Sequence, residues 1–266
     1  MSSEEVPVTD SPGLFGPDVG RSGSGLRPPA EGAPLAARMR PRTLDEFVGQ
    51  DRLVGPEGPL RELIERDRVP SLILWGPPGC GKTTLAAIMA SRTGAWFEPF
   101  SAVTEGVPRV RELIAQAAER KRAGKADTIL FVDEIHRFNR AQQDAFLPHV
   151  EAGTIVLVGA TTENPSFEVV GPLLSRTRVF VLDPLDAEAV ESLLMRALTD
   201  SDRGLGELGL EIDPDALRLL AVSADGDARR ALNALETAAE LVKPGGRIGT
   251  SEIERGLQRR FPRYDK

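Results

Sequence analysis

In residues 72–86, LILWGPPGCGKTTLA, the positions Gly76, Gly81, Lys82 and Thr83 fit the spacing G-x-x-x-x-G-K-[ST] between an apolar run and a helical stretch. A triphosphate needs backbone N–H groups turned toward it, and glycines such as Gly76, Gly79 and Gly81 let a loop wrap it without side-chain obstruction. Pro77, Pro78, Cys80 and Thr84 complete the loop. A helix starting near Lys82 would add its positive dipole end. The Lys82 ammonium would neutralise the β- and γ-phosphates, and the Thr83 hydroxyl would ligate Mg²⁺. A chance Gly-Pro turn is the plain alternative, and the strand and helix on either side argue against it. A thiol at a helix N-terminus can also be a redox sensor, but a small residue that fits the loop is the simpler reading of Cys80.

Two further segments end in polar residues where buried strands should stop. TILFVDEIHRF (128–138) brings Asp133 and Glu134 to the end of an apolar strand, the place where ligands of parallel sheets are met. Asp133 would hold Mg²⁺ through water, and Glu134 would polarise the water that attacks the γ-phosphate. His136 reads as a packing or polar loop residue rather than a base, and Asn139 as the N-cap of the helix opened by NRAQQDAF. In TIVLVGATTENPSF (154–167) the strand expected over Thr154–Gly159 runs into Thr161 and Thr162. Those hydroxyls either brace a turn or face something polar at the mouth of the sheet.

The elements that must position these residues follow from periodicity. Strands are expected at Ser71–Trp75, Trp96–Phe100, Thr128–Val132, Thr154–Gly159 and Arg178–Leu182. Between the second and third, Val110, Leu113, Ile114, Ala117 and Ala118 share one helical face that stops at Gly124. Alternating strands and helices specify an α/β fold, a parallel five-stranded sheet flanked by helices. After Pro184 the strand signals disappear. Helices capped by Asp186 and Asp213, the stretch DARRALNALETAAELV, and a Ser251–Glu254 capping box describe a small all-helical domain. The expected division is a Pro/Gly/Ser-rich disordered tail over 1–34, a nucleotide-binding α/β domain over 35–183 and a helical domain over 184–266.

Composition narrows the setting. With 41% hydrophobic and 27% charged residues the chain is ordinary for a globular protein. Apolar runs of about five residues are far too short for a membrane span. One cysteine excludes a disulfide framework, and with two histidines a zinc site is not expected. A cytoplasmic protein is expected. The net charge of −7 excludes a polycation that coats nucleic acid, although a local basic face would suffice for DNA. Arg247, Arg255, Arg259, Arg260, Arg263 and Lys266 crowd the end of the sequence and could contact phosphates or simply form a solvated face.

Taken in order, these motifs resemble the AAA+ ATPases. The resemblance makes Thr162, with Thr161 as the fallback, the sensor 1 residue that meets the γ-phosphate or attacking water. RPRTLDEFVGQ (40–50) resembles the segment lying against adenine in clamp-loader-like members, with Val48, Gly49 and Gln50 as contacts. LLSRTRVF (173–180) resembles the clamp-loader Ser-Arg-Cys motif with Thr177 in place of cysteine, so Arg176 would be an arginine finger reaching a neighbouring subunit's ATP. GDARRALNALE (226–236) resembles the sensor 2 helix of the lid, which makes the helical domain over 184–266 a lid domain in which Arg229 touches the γ-phosphate of its own subunit.

The fuller wording, PLAARMRPRTLDEFVGQ, ILFVDEIHRFNRAQQDAFLPHVE, GATTENPSFEV and the closing RYDK, is similar to the replication-associated recombination protein A family, related to the Werner helicase-interacting protein. That resemblance implies a DNA-stimulated ATPase at stalled forks and duplex/single-strand junctions, using ATP and Mg²⁺. It also implies a single-stranded-DNA-binding protein as partner and a homo-tetramer. Family members continue beyond RYDK into an oligomerisation region, so a truncated chain is expected, and with it doubt about the tetramer and the trans finger. Two rivals remain: a sliding-clamp loader subunit, and a nucleotide-switched binding module with little turnover.

Overall fold

The computed structural model describes residues 32–102 and 106–258. In chain order, α1 (Leu35–Arg38), α2 (Asp51–Val54) and α3 (Pro59–Glu65) precede β1 (Leu72–Trp75). Helix α4 (Lys82–Thr93) leads to β2 (Trp96–Ser101), and α5 (Val107–Arg122) leads to β3 (Thr128–Asp133). Short helices α6 (Arg140–Asp144) and α7 (Leu147–Glu151) join β3 to β4 (Val156–Thr161). Helices α8 (Pro165–Glu168) and α9 (Gly171–Leu174) join β4 to β5 (Arg178–Val181). The C-terminal part holds α10 (Ala187–Thr199), β6 (Glu211–Ile212), α11 (Pro214–Ser223), α12 (Ala228–Ala239), β7 (Arg247–Ile248) and α13 (Thr250–Gln258).

The five long strands form one parallel sheet in the order β2-β3-β4-β1-β5. Its side chains alternate between two buried faces, which is why the strands read as unbroken apolar runs. Leu72, Leu74, Phe131 and Val158 pack with α4 on one face; Ile73, Leu130, Val132 and Leu157 pack with α5 on the other. The apolar stripe of α5 is as the periodicity predicts, with Val110, Leu113, Ile114 and Ala117 buried. Gly124 follows that helix at φ +64°.

Strand β4 begins two residues later than expected. The N–H groups of Thr154 and Ile155 both donate to the His149 carbonyl, closing the end of α7, so neither is free for the sheet. The strand therefore runs on to Thr161, which is registered with Trp75 and fully buried. Gly159 in this strand has a packing reason: a Cβ there would lie 2.7 Å from Ile73 and 3.0 Å from Ile135.

The C-terminal region is helical as expected, with one addition. Two-residue strands β6 and β7 pair in parallel, joined across their edge by Arg247 and Glu211. Runs that short carry no periodicity, which is why the sequence shows no strand after Pro184. Asp186 caps α10 by accepting from the Ala189 N–H at 2.7 Å. The cap of α13 falls earlier than Ser251–Glu254: Gly249 donates its N–H to Glu252 at 3.0 Å, and the Ser251 hydroxyl also turns to Glu252. Helix α1 packs away from the sheet that its sequence position suggests. Leu35 and Met39 are buried in the helical core with Leu194, Leu220 and Leu235, and the Leu35 N–H donates to Glu236 at 2.8 Å. Among the described residues, no helix is long and apolar enough to cross a membrane.

Candidate active site

The C-terminal ends of β1, β4 and β3 are neighbours in the sheet, so whatever follows them meets at one edge. After β1 comes the glycine-rich loop, after β4 comes Thr162, and after β3 come Asp133 and Glu134. This is the place where open parallel sheets bind ligands. An open cleft lies there, bounded on its far side by the helical domain.

Its polar end is lined by Lys82, Thr83, Asp133, Glu134, Thr162 and Arg229, brought from four separate segments. The first turn of α4 aims its free N–H groups here, and its N-cap Gly81 is left-handed at φ +100°. A Cβ at Gly81 would lie 2.5 Å from the Phe47 ring, and one at Gly79 would lie 2.0 Å from the Asp227 carboxylate. The loop is thus pressed between the segment before β1 and the cap of α12, and only glycine fits at either place. Lys82 is buried, its ammonium donating to the carbonyls of Gly76 at 2.7 Å and Pro77 at 2.8 Å. Gly76 and Pro77 therefore hold the lysine rather than line the cleft.

Burial is the main cause that raises the Asp133 carboxyl above its ordinary range, followed by the adjacent charge of Glu134; Lys82 and Arg229 oppose both. Raised carboxyls in a cleft mark functional candidates. Glu134 has left-handed backbone, φ +53°, an unfavourable conformation for a residue with a side chain. Its N–H donates to Asp133 at 3.2 Å. Burial also raises the Cys80 thiol, partly offset by Lys82, so Cys80 is a buried thiol rather than a reactive thiolate.

Arg229 sits in the first turn of α12, where a cation opposes the helix dipole, and the Asp227 cap beside it accepts from the Arg230 N–H at 3.0 Å. Helix stability alone would not place an arginine there; access to the cleft accounts for it.

The apolar end was only partly foreseen. Val48 lines it, whereas Gly49 and Gln50 do not. The Gln50 amide is spent on the Asp183 backbone, donating to its carbonyl at 2.7 Å and accepting its N–H at 3.1 Å. Gly49 is left-handed at φ +75° and lies against Leu185. These two residues clasp the junction between sheet and lid. The wall is completed by Met39, Phe47, Leu185, Leu193 and Leu232, which sequence spacing did not mark because they come from three distant segments.

Thr161, the fallback for Thr162, is buried below the cleft, and its hydroxyl is bonded to Glu163. Asn139 caps α6 as expected, in a full capping box with Gln142. Arg176 lies between α9 and β5, away from its own chain's cleft lining, paired with Glu151 and donating to the Pro172 carbonyl at 2.8 Å. Of the basic residues near the C-terminus, Arg247 is engaged by Glu211 and Asp213 and Arg255 is exposed. Arg259, Arg260, Arg263 and Lys266 lie outside the described residues.

The family model described as ATPase family associated with various cellular activities (AAA) matches residues 72–185, and the AAA C-terminal domain matches 206–266. The first match starts on β1 and spans all three strand ends of the cleft. This chain belongs to the AAA ATPase family. It is 51% identical over 236 residues to replication-associated recombination protein A of Coxiella burnetii, covering 88% of this chain and 53% of that protein. It is 48% identical over 206 residues to ATPase WRNIP1 of Dictyostelium discoideum, covering 77% of this chain and 23% of that one. The resemblance read from the motifs is thus borne out, and the chain spans about half the length of the bacterial relative it matches. Among solved structures, the Thermotoga maritima RuvB Holliday junction branch migration motor superposes with a TM-score of 0.65 at 27% identity, over 83% of this chain and 72% of that one. Its sheet and helical C-terminal region share the AAA architecture.

Proposed function

We propose that this chain hydrolyses ATP to ADP and phosphate in the cleft, stimulated by DNA at replication forks and duplex/single-strand junctions. The carrying observation is the convergence of Lys82, Thr83, Asp133, Glu134, Thr162 and Arg229 on one cleft whose other end is apolar. Met39, Phe47, Val48 and Leu185 suit an adenine ring. Lys82 exchanges its carbonyl partners for phosphate oxygens, while the N-terminus of α4 receives the negative charge. Thr83 and Asp133 would hold Mg²⁺, which takes only one or two protein oxygens and, when bound, neutralises charge on the phosphates. Glu134 polarises the attacking water, whose oxygen bonds to the γ-phosphorus as the bond to the bridging oxygen breaks and ADP leaves. Thr162 meets the γ-phosphate from β4.

In this reading Arg229 ties nucleotide state to lid angle, because it rides on α12 while the phosphates rest on α4. Arg176 faces outward and acts as a finger on the ATP of a second copy, a contribution of about 10³–10⁵ in rate where such fingers operate. The names of the relatives, a replication-associated recombination protein and a Holliday junction motor, support DNA as the effector. A single-stranded-DNA-binding protein and further copies of the chain are the expected partners, in the cytoplasm at the nucleoid.

The test is ATP turnover per subunit against protein concentration, with and without forked DNA. Specific activity that rises with both, and falls in Arg176→Ala while nucleotide still binds, supports the reading. Turnover that ignores DNA removes the DNA part, and turnover that ignores concentration and Arg176→Ala removes the trans finger.

A further inference from the structure

His136 and Thr161 lie behind the cleft and take no part in the roles above. The Thr161 hydroxyl donates to the Glu163 carbonyl at 3.2 Å and accepts the Glu163 N–H at 3.0 Å. Thr161 Oγ1 also lies 2.9 Å from His136 Nδ1, a contact whose donor is set by the ring's tautomer. The same Nδ1 lies 3.3 Å from Glu134 Oε2, and an ionised carboxylate only accepts. A bare Nδ1 lone pair would be repelled by that carboxylate, so the Glu134 contact favours a hydrogen on Nδ1, shared between the carboxylate and Thr161 Oγ1; the Nδ1–H tautomer and the imidazolium both supply it. The ring sits on the short 3₁₀ turn Ile135–Arg137, anchored by fully buried Ile135.

We propose that His136 is a positioning residue for ATP hydrolysis: its Nδ1–H fixes the Glu134 carboxylate and ties it to the end of β4. This rests on the reading of Glu134 as the group that orients the attacking water. Glu134 stands in left-handed backbone, so its chain conformation needs support from its surroundings, and the ring supplies it at the side chain. Thr161 immediately precedes Thr162, so the ring couples the two strand ends that address the γ-phosphate and the water.

The first measurement needs no turnover. The chain has two histidines, so long-range ¹H–¹⁵N spectra of the full chain, with His149→Gln for assignment, report the His136 ring nitrogens separately. A hydrogen on Nδ1 is expected; a bare Nδ1 with the hydrogen on Nε2 overturns the proposal. Kinetics then separate positioning from packing. His136→Ala is expected to lower kcat by about 10- to 100-fold, the range for groups that orient a reacting side chain, while KM for ATP and the affinity for a fluorescent ATP analogue stay within about twofold. His136→Asn keeps an N–H donor near the Nδ1 position and recovers most of the loss. Equal loss in both variants, or loss of nucleotide affinity in parallel with kcat, overturns the proposal. A wild type that binds ATP without turning it over sinks the hydrolysis reading and the positioning role together. An active wild type matched by His136→Ala sinks the positioning role alone.

Discussion

At the scale of single residues, the cleft holds groups placed there at the expense of stability. Asp133 is the plainest case, since burial and the neighbouring Glu134 both disfavour its charge. Its folded pKa lies above the unfolded one, so the associated stability is fully present below the ordinary carboxylate range and is lost as pH rises through the folded value. Asp133→Asn is accordingly expected to raise the melting temperature at neutral pH in metal-free buffer, with the gain shrinking in acid. Thermal denaturation at two pH values checks this, and a gain that grows in acid would show that the carboxylate is not strained. The Cys80 thiol gives a second reading: burial keeps it protonated, so alkylation of the folded chain at neutral pH should be slow and should speed up on unfolding. Labelling at the same rate in both states would contradict the burial of its thiol in the folded loop.

At the scale of elements, the close approaches explain which parts of the site could be read in the sequence. Lys82 and Thr83 were legible through the glycine-rich spacing between a strand and a helix, and Asp133 and Glu134 because the apolar run of their strand announces them. Thr162 was legible only through resemblance, since the strand was expected to stop at Gly159 and α7 in fact delays it by two residues. Gln50 is turned from the cleft for a physical reason: its segment runs past the cleft, but its amide bonds to the Asp183 backbone. Phe47, its near neighbour, was overlooked although it forms the wall against Gly81. Gly79→Ala puts a Cβ against Asp227, both its carboxylate and its backbone, so the cap of α12 must retreat. Nucleotide affinity is expected to fall by about tenfold or more while the sheet stays folded; for comparison, overpacking of this kind typically costs about 1–3 kcal/mol. Binding of a fluorescent ATP analogue, with far-UV circular dichroism as the control for folding, checks this. Unchanged affinity would mean that the lid does not need to approach the loop.

At the scale of the whole molecule, the lid is docked through charges as well as apolar contacts. Arg203, in the loop after α10, reaches Glu46 of the segment before β1 at 3.0 Å and Asp200 at 3.3 Å. Arg196 of α10 donates to the Glu46 carbonyl at 2.9 Å, but its Nε and Nη2 are buried without a partner, and burial lowers its pKa. Replacing a paired cation strands the acids it served, whereas replacing an under-satisfied one relieves a desolvation cost. Arg203→Met is therefore expected to destabilise the chain more than Arg196→Met, by about 1–3 kcal/mol. Chemical denaturation of both variants checks the order, and the reverse order would contradict this account of lid docking. Nothing in the spacing of Arg196, Arg203 and Glu46 showed this cluster beforehand, because it joins positions about 150 residues apart.

The central claim is that the three strand ends and the lid form a hydrolytic site and not merely a nucleotide pocket. Single-turnover hydrolysis of ATP by the wild type and Glu134→Gln, with nucleotide affinity measured on the same samples, tests it most directly. Wild-type turnover, with binding retained and hydrolysis reduced by about 10²-fold or more in Glu134→Gln, is the result predicted for loss of a group that acts on the attacking water. Equal hydrolysis in the two proteins would contradict it, as would a wild type that binds ATP and leaves it intact.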